Sequence, residues 1–240
     1  MIAAMLIAAI STPAFSGQIV APQPFSGTEG SNSSSGVLLG NSRTLQYVYS
    51  TSELGFSAGS ELAGLAFRLN NSQGTNVALT WTNYTIELSQ SLFAPGSLST
   101  VFANNIGADV VTVRSGPLAI AASAFPSGGS PNAFGPEIVF TTPYTYTGGD
   151  LLVTIRHTGN TQGIGYFADS VPNATGLYEG QGAAGFATAS FTAGQSVTNT
   201  AVVMQFDVAP EPGTWVLAGS LVALLAAGRR LRRRRTERVW

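Results

Sequence analysis

"AVVMQFDVAP", residues 201–210, alternates with a period of two: Val202, Met204, Phe206 and Val208 fall on one side, Val203, Gln205 and Asp207 on the other. A helix returns its side chains every 3.6 residues and cannot separate such a pattern, whereas a strand turns alternate residues to opposite faces. The same alternation appears in Leu65, Phe67 and Leu69 and again in Tyr84, Ile86 and Leu88. Outward from these anchors, strand candidates recur at roughly ten-residue spacing. They cover residues 45–49, 62–69, 77–88 with a break near Asn83, 110–114, 118–121, 137–141, 151–157, 164–168, 186–191 and 201–208. Composition agrees, since 28 glycines, 12 prolines and only 10% charged residues favour strands joined by turns over helices. The expected fold is all-β, a β-sandwich of jelly-roll type.

Of the 240 residues, the two ends have the character of addresses, which leaves roughly 180 for one well-buried domain. Residues 17–44 are poor in large apolar side chains and hold the polar run Ser31 to Ser35, so they are expected to be a loose lead-in to a passenger domain over 45–208. Seven of the eleven basic residues are arginines in the last twelve positions. From Gly17 to Asp207, four arginines (Arg43, Arg68, Arg114, Arg156) face ten carboxylates. A mildly acidic domain of this kind argues against a nucleic-acid partner, which needs clustered cations. The chain has no cysteine, which excludes disulfides, thiolate zinc sites and cysteine nucleophiles.

"MIAAMLIAAISTPAFSGQ" (1–18) carries an apolar run from Ile2 to Ile10, then Pro13 and the small-residue pattern Ala14-Phe15-Ser16 before Gly17, as in a signal peptide over residues 1–16. The basic residues expected ahead of the run are missing, as they would be if translation started upstream of Met1.

At the other end stands "PEPGTWVLAGSLVALLAAGRRLRRRR" (210–235). Trp215 to Gly228 is fourteen residues without a charge, about 21 Å as a helix against a hydrocarbon core of roughly 30 Å, so the span is short and weakly held. Trp215 stands where an interfacial aromatic would. The arginines beyond Gly228 are on the side that the positive-inside rule assigns to the cytoplasm. Pro210 and Pro212 withhold amide donors and bias Ala209 and Glu211 away from helix, giving a protease an extended segment ahead of the span.

This tail over 209–240 resembles the PEP-CTERM sorting signal of exopolysaccharide-producing Gram-negative bacteria, with Ala209 where that family usually has valine. The resemblance implies that Pro210, Glu211 and Pro212 are the motif recognised by an exosortase-type membrane protease and that Trp215 to Gly228 is the span. It also implies that Arg229, Arg230, Arg232, Arg233, Arg234 and Arg235 are the cytoplasmic stop. The chain would then be exported through the inner membrane, anchored transiently, and released to the outer surface. Residues 98–120 ("LSTVFANNIGADVVTVRSGPLAI") and 137–159 ("EIVFTTPYTYTGGDLLVTIRHTG") are similar to a passenger domain found with such tails, which brings no known activity.

His157 is the only histidine and is in phase with the apolar residues Leu151, Val153 and Ile155, which points it inward at a strand end. No G-x-S-x-G elbow accompanies it. Glu87, Asp109, Glu137, Asp150 and Asp169 are candidates for a glycosidase carboxylate pair, and turn or edge roles compete with that reading. Neither "NIGADVV" nor "TGGDLLV" has the alternating carboxylates of a calcium loop; the expectation is no cofactor, with one structural calcium ion as the alternative. Asn32, Asn70, Asn83 and Asn173 head N-x-S/T sequons that a Ser/Thr-rich bacterial chain produces by chance. Tyr144, Tyr146, Tyr166 and Phe167 are candidates for stacking on sugars, with core packing as the competing role. The leading expectation is a non-enzymatic surface or matrix protein in an exopolysaccharide-rich envelope. A carbohydrate-binding module at the same location is the alternative, and a secreted hydrolase and an ice-binding protein rank lower.

Overall fold

The computed structural model describes residues 17–34, 36–71, 73–74, 77–174, 176–190 and 200–209. The signal segment 1–16, the motif Pro210, Glu211 and Pro212, the span Trp215 to Gly228 and the arginines from Arg229 onward lie outside the described residues. Among the described residues there are fourteen strands and four short 3-10 turns, and no helix is long and apolar enough to cross a membrane.

Four strands form one sheet in the order β1 (Gly17–Ala21), β14 (Met204–Ala209), β4 (Glu61–Phe67), β9 (Ile138–Thr145). Five form a second, β12 (Tyr178–Ala184), β3 (Arg43–Tyr49), β10 (Leu151–His157), β6 (Tyr84–Gln90), β7 (Val111–Arg114). A smaller sheet joins β13 (Thr200–Val202), β11 (Ala168–Pro172) and β2 (Asn32–Ser34), and β5 (Leu79–Trp81) pairs with β8 (Leu118–Ile120). Every pairing is antiparallel.

The alternation of 201–208 is realised in β14: Met204, Phe206 and Val208 are buried and Gln205 and Asp207 are not. Together with Leu62, Leu65 and Phe67 of β4 they join one apolar cluster that includes Leu45, Tyr47 and Tyr49 of β3, Val153 and Ile155 of β10, and Ile86 and Leu88 of β6. The core therefore draws on facing residues of both large sheets. The outer face of the five-stranded sheet is also covered. There the Gln46 side chain donates to the Phe102 carbonyl (3.0 Å) and Thr154 Oγ1 (3.2 Å), while its carbonyl accepts from Asn105 (2.8 Å) and Gln181 (3.2 Å). These bonds hold the 98–106 segment down and satisfy polar groups that would be costly to bury alone.

Three expectations are corrected. Residues 17–44 are not a loose lead-in: β1 pairs with β14 from Gly17↔Val208 to Ala21↔Met204, β2 pairs with β11, and Ala21, Val37 and Leu38 are buried. The strand expected over 164–168 begins only at Ala168, because the Asn160 side chain donates to the Ile164 carbonyl (2.7 Å) and holds this stretch as a loop. Residues 186 and 187 form a turn, and the strand lies earlier, at "YEGQGAA" (178–184). A Cβ on Gly180 would sit 2.1 Å from the Thr200 carbonyl oxygen and 2.8 Å from the Tyr47 ring, so a glycine-rich strand is what lets β12 lie against β3 beneath β13. Packing at close range overrides the low strand propensity of glycine.

A buried ion pair joins the end of β4 to β11 and gathers the N-terminal segment onto both. Arg68 and Asp169 are 1% and 0% exposed, and both Nε and Nη2 of Arg68 approach Asp169 Oδ2 at 2.7 Å. Asp169 Oδ1 accepts from the Gly30 amide (2.9 Å). The guanidinium also donates to the carbonyls of Phe25 (2.9 Å) and Thr28 (2.5 Å) and lies 5.2 Å from the centre of the Phe134 ring. Asp169→Asn leaves this cation buried without its counter-charge and is expected to cost about 3 kcal/mol or more. Urea denaturation followed by Trp81 fluorescence checks this, and a loss below about 1 kcal/mol would show the pair to be dispensable.

Candidate functional site

β14 ends at Ala209, opposite Glu61 of β4, and β1 begins at Gly17, opposite Val208. The start of the described chain and its exit toward residue 210 are thus neighbours in one sheet. Beside them the β3–β4 connection, "STSELGFSAGS" (50–60), borders a shallow, open cleft of about 590 Å³. Its walls include Ile19, Gln23, Thr51, Ser52, Phe56 and Ser60, together with Gly17, Val208 and Ala209.

Local chemistry fixes this shape. Asp150 Oδ1 accepts from the Thr51 amide (3.1 Å), and the Gly59 amide donates to the Tyr146 carbonyl (2.8 Å). Gly55 has φ +68, and a Cβ there would stand 2.9 Å from Gln23 Nε2 and 3.0 Å from Ile19 Cγ2. Glycine satisfies both the backbone and the space. Phe56 is braced edge-on by Tyr146 (5.2 Å between centroids) and Phe206 (5.8 Å). The walls offer hydroxyls, one amide and one half-buried aromatic ring, without a carboxylate, arginine or histidine. Such a surface can hydrogen-bond and stack on a neutral polar ligand but carries no acid, base or activated nucleophile.

The residues singled out in the sequence are dispersed. His157 is fully buried and stacks on Tyr84 at 5.5 Å. Its Nε2 is 2.8 Å from the Gly36 carbonyl, which can only accept, and its Nδ1 is 3.1 Å from the Gly159 amide, which can only donate. The ring is therefore neutral with its proton on Nε2, and both nitrogens are engaged by backbone. Glu87 pairs with Arg156, Asp150 caps the Thr51 amide, and Asp169 pairs with Arg68. Burial alone would raise the Asp109 carboxyl, but hydrogen bonds from Tyr144, the Gln90 amide and Thr147 outweigh it and hold the group below its ordinary value. Glu137 lies over the bare backbone of Gly64, and burial together with the charge of Asp207 pushes its carboxyl up. That pair belongs to a sheet face where neighbouring Val139 is 62% exposed, not to the cleft.

Of the aromatic candidates, Tyr144 and Tyr146 are buried, Tyr166 is half-buried and Phe167 is exposed, so they do not form one stacking face. Among the described residues, no three His, Cys, Asp or Glu side chains gather as metal ligands would. The cleft residues Gln23, Thr51, Ser52, Phe56 and Ser60 escaped the sequence reading. Their one signal was a hydroxyl- and glycine-rich run between two strand candidates, which has the composition of any turn. Comparison with protein-family profiles, with curated proteins and with solved structures finds no match to this chain.

Burial lowers the His157 imidazole from an ordinary 6.5 to about 4. Between these values the unfolded chain binds a proton that the folded chain refuses, so stability is in full force above about pH 6.5 and declines as the pH falls through this window. The decline is expected to reach about 3 kcal/mol by pH 4. His157→Gln, which has no titrating group, should flatten that part of the profile; denaturation midpoints measured from pH 7 to pH 4 check it, and an unchanged slope would contradict the assignment.

Proposed function

We propose that this chain is an exported, non-enzymatic surface or matrix protein whose β-domain is the passenger of an exosortase-type sorting tail. The two large sheets are read as a β-sandwich of jelly-roll type: β3, β4 and β6 fall alternately on the second, first and second sheet, as do β9 and β10 on the first and second. The signal segment 1–16 and the sorting segment 209–240, with Pro210, Glu211 and Pro212 as recognition motif, bracket this domain.

The observation that carries the reading is the register Gly17↔Val208. The boundaries expected for the two processing steps, before Gly17 and near Pro212, emerge side by side at one end of the domain, as two segments engaging one inner membrane would require. β14 is paired with β1 as far as Val208 and with β4 as far as Ala209. A protease that needs an extended, unpaired substrate is therefore confined to the segment beyond it, where two prolines prevent regular pairing. The non-enzymatic part of the reading draws support from the engagement of His157 by backbone and of Asp109, Asp150 and Asp169 by structural donors.

A second reading, a carbohydrate-binding module at the same location, is favoured by the neutral hydroxyl and amide walls of the cleft around Phe56. Exopolysaccharide would be its ligand class.

Intact mass and fractionation of the protein from its own host, beside a variant with Pro210, Glu211 and Pro212 all changed to Ala, test the first reading. The expected outcome is a wild-type product ending at or beyond Ala209, without Arg229 to Trp240, and a variant retained uncut in the inner membrane. A wild-type mass that keeps the arginine tail would overturn the sorting assignment in favour of a permanent anchor.

A further inference from the structure

The end of the domain at which Gly17 and Ala209 emerge also carries a set of exposed apolar side chains. Leu92 is 62% exposed, Val110 44%, Phe93 40% and Leu177 40%. Register places them together: Gln90 of β6, Leu151 of β10, Tyr49 of β3 and Tyr178 of β12 are in line across the five-stranded sheet, and the loops that carry these side chains spring from those strand ends. Hydrogen bonds join the loops into one surface. The Ser50 amide donates to the Leu177 carbonyl (2.7 Å), the Ser91 amide to the Asp150 carbonyl (2.7 Å) and the Gly176 amide to the Pro95 carbonyl (3.1 Å). Glu179 Oε2 accepts from the amides of Gly96 (2.9 Å) and Leu98 (3.2 Å), so the 91–98 loop is fixed with Leu92 and Phe93 pointing outward.

We infer that this end of the domain rests on the lipid surface into which the tail inserts, with Leu92, Phe93 and Leu177 entering the interface. The inference depends on the sorting reading for the tail and adds a membrane contact made by the passenger itself. Only five residues, 210–214, separate Ala209 from Trp215, so the two Cα atoms are at most about 20 Å apart. With Trp215 at the interface, the Ala209 end of the domain is held within that distance of the headgroups, and the exposed apolar residues on it face the bilayer. A few apolar side chains in contact with a membrane add modest affinity, enough to orient a domain already tethered. Glu61, Asp109, Asp150 and Glu179 share this end, while Arg43, Arg68, Arg114 and Arg156 lie toward the opposite strand ends. That polarity suits zwitterionic headgroups and disfavours anionic ones.

Because the chain has no cysteine, single labels can be placed cleanly. The full chain is reconstituted into phosphatidylcholine vesicles that carry a nitroxide on the acyl chain, with a fluorophore on Ser97→Cys in the 91–98 loop or on Thr161→Cys at the far end. The Ser97→Cys label should be quenched several-fold more than the Thr161→Cys label. Adding Leu92→Ser, Phe93→Ser and Leu177→Ser should bring the first down to the level of the second. Equal, weak quenching at both positions while the tail resists alkaline extraction would overturn the docking and leave the sorting reading standing, as would strong Ser97→Cys quenching that the triple change does not reduce. A tail that alkali extracts would remove the sorting reading and this inference with it.

Discussion

The Arg68–Asp169 pair is the point on which the rest of the domain closes. Three separate parts of the chain meet there: the segment after β1, the end of β4 and the start of β11. An arginine suits this place because one planar guanidinium can serve a carboxylate and several carbonyls at once, which a lysine ammonium cannot do in the same geometry. Gly30 is its necessary companion, since a Cβ there would stand 2.2 Å from the Ser170 carbonyl oxygen and push the segment off Asp169. The backbone continues the link: the Asp169 amide donates to the Arg68 carbonyl and the Val203 amide to the Asp169 carbonyl, which brings the junction between β13 and β14 into the same closure.

With that closure in place, the segment from 17 to 44 becomes part of the domain, and the strand β1 at its head can lie along β14. The consequence for function is positional. β14 becomes an interior strand, held on both sides as far as Val208, and the exit at Ala209 shares one end of the domain with Gly17 and the cleft walls. Without β1, the chain leading to residue 210 would leave from a sheet edge, where strands fray more readily.

What the sequence discloses and what it withholds follow from how far apart the determinants lie. Strands such as β10 and β14 are legible because their cause is local: alternate residues face one core, and Leu151, Val153 and Ile155 or Met204, Phe206 and Val208 declare it. β12 is hidden because its glycines answer to Tyr47 and Thr200, residues distant in sequence. The attachment of residues 17–34 is hidden for the same reason, since it depends on Arg68 and Asp169 more than on apolar side chains of its own. His157 was correctly placed inward by phase, but its tautomer depends on Gly36, 121 residues away. The cleft has no local signature, and the sequence leaves Tyr144 and Tyr146 between sugar stacking and core packing, a choice decided by the packing of Tyr146 on Phe56 and the bond from Tyr144 to Asp109.

The two kinds of information in the chain therefore separate along physical lines. The sorting signal proposed for the tail would be written in short, contiguous chemistry, a Pro-Glu-Pro motif, an apolar run and a block of charge, because a membrane protease of the proposed kind meets the chain as a linear segment. The passenger is written in long-range complementarity, where a carboxylate is useful only with its arginine 101 residues away. The two meet at Ala209. Pairing of β14 with β1 reaches Val208 and with β4 reaches Ala209, so a cut beyond Ala209 leaves both of these ladders whole. Under the proposed sorting reading, that would let the domain lose an anchor and keep these strands paired, as temporary attachment demands.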